Sequence, residues 1–418
     1  MAREINFDKI CKVEGHASLD LKVRKNRVEK CHLETKEGAR FFEGLVLGKK
    51  VKDVQEIVSR ICGICSSAHS VCSIQALEKA LRIRPTKQQK ILRELLMIGE
   101  RIRSHITHLY FLALPDYYGF SSALSMNKKH REKVKDATTL IRTGNRIVRE
   151  LGGRDMHPLL GIKKGVPKKD FSGLREKLIE AKPLIRKTID LFLSLNYPKM
   201  ERNADQLCLR NKNYATLSGK IVSRSGLIEV EDYKKHLKEN IKEYATSKFV
   251  LKDGWPFQTG AMARINNNKD RLDKETKNYL KKVSLPLKNP YHNNIAQALE
   301  LLHLTNRAIE LIGKISGRKE SKEIKIKKGH AVAAVEAPRG TLFHEYKIDK
   351  EGKINYCNII PPTTQNLNLM EKDIKKVVEH LMERNAKRKE IVRRVEELIR
   401  AYDPCFSCSS HFLKVKWL

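Results

Sequence analysis

The chain has 418 residues, 40% of them hydrophobic, so it can bury a large core and is not a disordered protein. Its longest apolar runs, such as Phe111–Pro115 and Ala331–Val335, are far too short to cross a membrane. Met1–Asp8 carries no apolar signal segment, so a soluble, cytoplasmic protein is expected. The net charge of +35 is spread along the whole chain. It admits a basic surface facing acidic partner subunits, adaptation to a hot or unusual cytoplasm, or nucleic-acid binding. No base-reading motif favours the last of these.

The N-terminal part, residues 1–60, reads as strand-rich. Ala17, Leu19, Leu21 and Val23 alternate with polar residues, Lys25-Asn26-Arg27 makes a turn, and Val28–Glu34 returns. A helical body is expected over 61–320. Ile91, Leu95, Ile98, Ile102, His105 and Leu109 recur at three- and four-residue steps, with Pro115 as the stop. Further helices are predicted over Lys128–Leu151, ending at Gly152-Gly153, over Phe171–Leu195 and over Ile295–Ile315. In the last part, 321–418, Gly329–Ile348 and Ile354–Ile360 read as strand and loop, after a charged connector at Arg318–Lys328. One long helix is predicted from about Glu371 to Tyr402. With no internal repeat, the expectation is a single α+β domain over 1–418. It would be mainly α with small β elements, a central bundle of long helices and a small N-terminal sheet.

Nine cysteines, four of them in two Cys-x-x-Cys pairs, argue for metal or thiol chemistry rather than a disulfide framework. Cys62 and Cys65 flank Gly63-Ile64, and Cys405 and Cys408 flank Phe406-Ser407, 343 positions further on. Four thiolates suit zinc, iron–sulfur or nickel. Zinc ribbons keep their pairs within a few tens of residues, so a site closed over this distance is made by the whole fold. A structural zinc site remains the plainest alternative. His69 lies four residues after Cys65, and His411 three after Cys408. If helices start at the cysteines, each imidazole stands one turn from its thiolate.

Arg60–His69 reads R-x-C-G-x-C-x-x-x-H, and Asp403–His411 reads D-P-C-x-x-C-x-x-H. Between them and before them come Val13–His16, Arg40–Gly44, Ser104–Asp116, Gly152–Pro158, Gly260–Arg264, Glu336–Gly340 and Pro362–Asn366. In content and order these segments resemble nickel–iron hydrogenase large subunits, especially the soluble sulfhydrogenase-type and related cytoplasmic bidirectional enzymes. The resemblance covers nearly the whole chain. It implies reversible heterolytic cleavage of dihydrogen to protons and electrons. It implies Cys62 and Cys405 as terminal nickel ligands, with Cys65 and Cys408 bridging to an iron that carries cyanide and carbon monoxide. Arg339 would lie over the open face, Pro338 near the diatomic ligands, and Thr363 on a cyanide. Asp116 and Asp403 would pair with or orient Arg339, His69 would bond a bridging sulfur, and Glu14 would take the proton from Cys405. Glu43, His411 and the carbonyl of Ile359 resemble the ligands of a magnesium or iron ion.

Electrons would leave through an iron–sulfur small subunit, with further flavin- or diaphorase-type subunits beyond it, since this chain has no spare cysteine cluster. The short tail Phe412–Leu418 implies maturation without tail cleavage. The quinone-site subunit of respiratory complex I shares the fold but lacks the four cysteines.

Overall fold

The structure, a computed structural model, describes residues 3–38, 41–162, 170–316 and 325–410. His411, the tail after it and most of the Arg318–Lys328 connector lie outside the described residues. Three antiparallel strands open the chain: β1 (Arg3–Phe7), β2 (Ala17–Arg24) and β3 (Arg27–Thr35). The alternation read in the sequence is the buried face: Ala17, Leu19, Leu21 and Val23 are all buried. The β1 strand was not expected.

Helix α1 (Ser66–Leu81) begins directly after the first cysteine pair. Helices α2 (Lys87–Ile106), α3 (Arg131–Gly152) and α4 (Ser172–Ser194) follow. Thr86 and Gln89 close a reciprocal capping box at the start of α2. The predicted apolar stripe of α2 packs with Leu140, Ile147 and Ile185 of its neighbours into the largest core cluster. Pro115 does not end this run. The chain widens into a π-helical stretch at Thr107–Ala113 and then makes a new turn, Leu114–Tyr117, with Pro115 near its start. A proline is tolerated there because the first turn needs no N–H from it.

The hairpin of β4 (Leu237–Ile241) and β5 (Lys248–Lys252) was not legible, because its strands are short and rich in charge. Helix α5 (Asn293–Ile312) crosses the bundle core. An antiparallel meander follows: β6 (Gly329–Ala337), β7 (Gly340–Ile348) and β8 (Ile354–Ile360). Pro338 and Arg339 form the two-residue turn between β6 and β7, which puts Arg339 at a hairpin tip.

The single helix expected from Glu371 to Tyr402 is two: α6 (Pro362–Glu383) and α7 (Arg388–Ala401). The break lies at Asn385, whose φ of 53° is left-handed. Helix α6 covers the N-terminal sheet, and its Glu371 and Glu379 accept the edge N–H groups of Leu33 and Val28, each at 3.0 Å. A last short helix, α8 (Phe406–Ser409), carries the second cysteine pair.

Beneath the Arg339 hairpin lies a fully buried ionic network. Arg264 donates to both oxygens of Glu300, at 2.6 and 2.7 Å, and to Glu336 at 3.0 Å. It also holds the carbonyls of Ala337 and Pro338, at 3.0 and 2.9 Å. Arg101 donates to the carbonyl of Glu336, and His105 and Tyr214 bond Glu300. Burial opposes the charge on Glu300, but Arg264 outweighs it and holds the carboxylate well below the usual range. Burial pushes the His105 pKa down to about 4, so the ring is neutral. Breaking such a network leaves an uncompensated buried charge. Glu300→Gln should therefore cost about 3–5 kcal/mol, seen as a lowered thermal midpoint; an unchanged midpoint would show that the network is not structural.

Candidate metal centre

The first cysteine pair follows a short amphipathic helix, Val51–Ser59, and Cys65 is the N-cap of α1. The loop is held from behind by α2. Arg103 donates to the carbonyl of Ile64 at 2.8 Å, and Glu100 accepts the N–H groups of Ser67 and Ala68 at the start of α1. Burial pushes the Glu100 pKa up to about 7. Cys62 Sγ accepts the N–H of Ile64 at 3.3 Å and of Cys65 at 3.4 Å, donors that favour a thiolate.

The second pair arrives from α7. Asp403, at a φ of 51°, turns the chain. Cys405 then donates its N–H to Thr363 Oγ1 at 2.9 Å. Phe406 donates to the carbonyl of Glu14 at 2.9 Å, so the N-terminal loop pairs with the last turn. Both ends of the chain converge. Cys62 and Cys405 sulfurs are 3.6 Å apart, Cys65 and Cys408 3.1 Å, and Cys405 and Cys408 2.7 Å. All four lie within 4.8 Å of one another, and all four residues are at most 6% exposed. Hydrogen bonds from Cys405, Cys408 and Cys65 lower the Cys62 pKa well below its ordinary value, while burial pushes Cys405 and Cys408 well above theirs. Holding all four sulfurs as thiolates this close together would require a cation among them. Soft donors in this number fit nickel.

Around the sulfurs the structure arranges a shell of polar groups. Arg339 is pinned by Asp403, with Nη2 2.9 Å from Oδ1 and Nε 2.7 Å from the carbonyl. Burial opposes its charge, but Asp403 and the sulfurs of Cys405, Cys62 and Cys65 raise its pKa well above normal. Arg339 Nη1 is buried without a hydrogen-bond partner among the described residues. Thr363 Oγ1, already accepting from Cys405, keeps its own hydroxyl proton to donate. Pro338 forms the turn beside Arg339, its carbonyl held by Arg264. An unused guanidinium N–H and a free hydroxyl proton fit anionic diatomic ligands. Glu14 Oε2 lies 2.8 Å from Cys405 Sγ and 3.2 Å from the N–H of Ser407, whose hydroxyl bonds Oε1.

Not every expected group lands as read. Asp116 does not pair with Arg339. It makes a two-pronged pair with Arg400, Nη2 to Oδ1 being 3.1 Å, and a further pair with Lys12. A rigid guanidinium fork takes both its oxygens, and Asp116 thereby ties the loop before Glu14 to α7. His69 Nδ1 lies 3.0 Å from His344 Nε2, and His344 Nδ1 lies 2.7 Å from the hydroxyl of Tyr346. The Glu43 site departs most. Both Glu43 oxygens are within 3.1 Å of Lys248 Nζ, and Oε1 also accepts the N–H of Ile359 at 2.8 Å. His411 lies outside the described residues. Among the described residues, the Glu43 carboxylate is already paired with an ammonium.

Sequence reading missed Gln297, which donates to Asp403 Oδ2 at 2.9 Å and is itself bonded by His108 at 2.6 Å. It also missed Ser407 as a partner of Glu14. Neither carries a local signal: Gln297 is one of several polar residues in its helix, and Ser407 one serine among several.

Gly15 carries the close approach of the two chain ends. Its φ is 83°, and a Cβ there would stand 2.7 Å from the backbone nitrogen of Ser407. A side chain at this φ costs about 1–2 kcal/mol before any clash. Gly15→Ala should push Glu14 off Cys405 and cut activity at least tenfold; wild-type turnover would show that the contact is dispensable.

Comparison with known proteins agrees with this geometry. The family model described as nickel-dependent hydrogenase matches residues 40–151 and 228–411. The alpha subunit of sulfhydrogenase 1 from Pyrococcus furiosus is 35% identical, over 98% of each chain. The beta subunit of the NAD-reducing hydrogenase HoxS from Cupriavidus necator is 25% identical, covering 99% of this chain and 96% of its own. A crystal structure of an NAD+-reducing [NiFe]-hydrogenase in the H2-reduced state is similar in fold. Its TM-score is 0.87 at 21% identity, covering 98% of this chain and 99% of that one. The chain belongs to the nickel-dependent hydrogenase family, as a catalytic large subunit.

Proposed function

We propose that this chain cleaves dihydrogen heterolytically and reversibly, passing electrons to an iron–sulfur small subunit. The observation that carries the reading is the contact of Glu14 with Cys405 inside the four-sulfur cluster, at 2.8 Å. Cys62 and Cys405 would hold nickel alone, and Cys65 and Cys408 would share it with an iron carrying cyanide and carbon monoxide. When bound, the metal pair supplies the Lewis acidity and redox capacity that polarise dihydrogen.

The residues of the chain do the rest. Cys405 Sγ accepts the proton and hands it to Glu14, which is already within hydrogen-bond reach. Ser407 fixes the Glu14 carboxylate through its N–H and hydroxyl. Arg339, held by Asp403, offers its unpartnered Nη1 to the site and cannot itself carry the proton away, because its pKa is so high. Thr363 would offer its hydroxyl proton to a cyanide. His69 acts from the Cys65 side, oriented by His344. A purely structural zinc site would leave Arg339 and Glu14 without a task.

Several features support a partner that takes the electrons. Among the described residues, the four cysteines form the one group of metal-binding side chains. Met156 lies against Gly63 of the first cysteine loop and is half exposed, with Leu159 exposed near it. Apolar surface of this kind beside a redox centre suits a docked subunit. The relatives whose names include NAD-reducing and sulfhydrogenase activities support further electron-transfer subunits. No described helix is long and apolar enough to cross a membrane, which supports a cytoplasmic setting.

Two experiments test the reading. Cys405→Ser should abolish nickel retention, measured as nickel per chain; full nickel content with activity would sink the assignment. Glu14→Gln should leave nickel bound but slow hydrogen–deuterium exchange by two orders of magnitude or more, roughly the contribution of one positioned acid–base group. Exchange at the wild-type rate would remove Glu14 from the path.

A further inference from the structure

We infer that the Lys248 ammonium is the resident cation of the Glu43 site and does the structural work of a divalent ion there. Lys248 opens β5, and its Nζ meets oxygens from three other elements. Glu43, on the short helix Phe42–Leu45, gives both carboxylate oxygens at 3.0 and 3.1 Å. Glu239 of β4 gives one at 3.1 Å, and Asn358 of β8 its side-chain oxygen at 3.3 Å. These are hydrogen-bond distances.

The acceptors are themselves fixed. Ile359 donates its N–H to Glu43, and the Asn358 amide donates to Glu239 at 3.0 Å. The cage thus presents four oxygens, two of them from one carboxylate, to the three N–H donors of one positive centre. The lysine side chain is only 14% exposed, so its pairing with two carboxylates is shielded from water. A divalent ion on Glu43 would have to expel this ammonium.

A second observation points the same way. The residues just before Lys248 grip the end of the metal-binding turn. Thr246 bonds Ser410 at 3.1 Å and the carbonyls of Thr35 and Glu37 at 2.9 and 2.8 Å. Ser247 bonds the hydroxyls of Ser409 and Ser410, at 2.6 and 3.3 Å. An ion on Glu43 would serve to tie that helix, β8 and the chain beyond Cys408 into one unit. Three consecutive residues, Thr246 to Lys248, make those ties without one.

The test uses the nickel-loaded enzyme with its partner subunits. Magnesium analysis after exhaustive dialysis should find far less than one ion per chain, and anomalous scattering at the iron edge should show no peak beside Glu43. One magnesium per chain, or an iron peak there, would overturn the inference. Lys248→Met should lower the thermal midpoint by several degrees, with recovery on adding magnesium chloride, while the wild type does not respond. A variant as stable as the wild type, or a wild type stabilised by magnesium, would also overturn it. If the variant does not fold, the metal content of the wild type decides alone.

Discussion

Four sulfurs held within 4.8 Å oppose their own charge, and the rest of the centre exists to make that arrangement tolerable. Two kinds of help are present. Fixed donors, such as the N–H groups on Cys62 and the N–H of Cys405 anchored on Thr363, set the loops before any metal contributes. Fixed positive charge comes from Arg339, which Asp403 keeps in place. Closing a loop of 343 residues costs only about 2.5 kcal/mol more entropy than closing one of about 20. Separation along the chain is therefore a small obstacle, and packing decides whether the pairs meet.

That packing is layered outward from the sulfurs. The Arg339 hairpin rests on Arg264 and Arg101, which oppose the buried carboxylates of Glu300 and Glu336. The Cys62–Cys65 loop rests on Arg103 and Glu100 of α2. The Glu14 loop is tied through Lys12 and Asp116 to Arg400, three residues before Asp403. The hairpin, the cysteine loop and the Glu14 loop each thus have charged side chains one layer back, buried in the bundle or against it. This explains why so basic a chain spends several of its carboxylates in the interior.

What the sequence made legible is what has a local signature. The alternation of Ala17 to Val23, the stripe of α2 and the cysteine motifs are short-range patterns, and the fold keeps all of them. The split between α6 and α7 was not legible because the helical pattern continues through it. Only the left-handed Asn385 interrupts it, and asparagine is common in helices as well as in turns. The β4–β5 hairpin was hidden by its charged residues, of which Lys248 meets Glu43 and Glu239 meets Lys248. In the site, the ligands were readable and their supports were not. Glu300, Gln297 and Lys248 meet partners roughly 36 to 205 residues away, a distance no periodicity encodes. Asp116 pairs not directly with Arg339 but with Arg400, a partner 284 residues away that no local pattern marks.

The depth of the sulfur pocket has a kinetic corollary. With every ligand cysteine at 6% exposure or less, no chelator or rival ion reaches the sulfurs while the turn Phe406–Ser409 stays seated against Gly15. That turn, paired with the Glu14 loop, forms part of what covers them. Burial of this depth favours slow exchange of whatever cation the sulfurs hold.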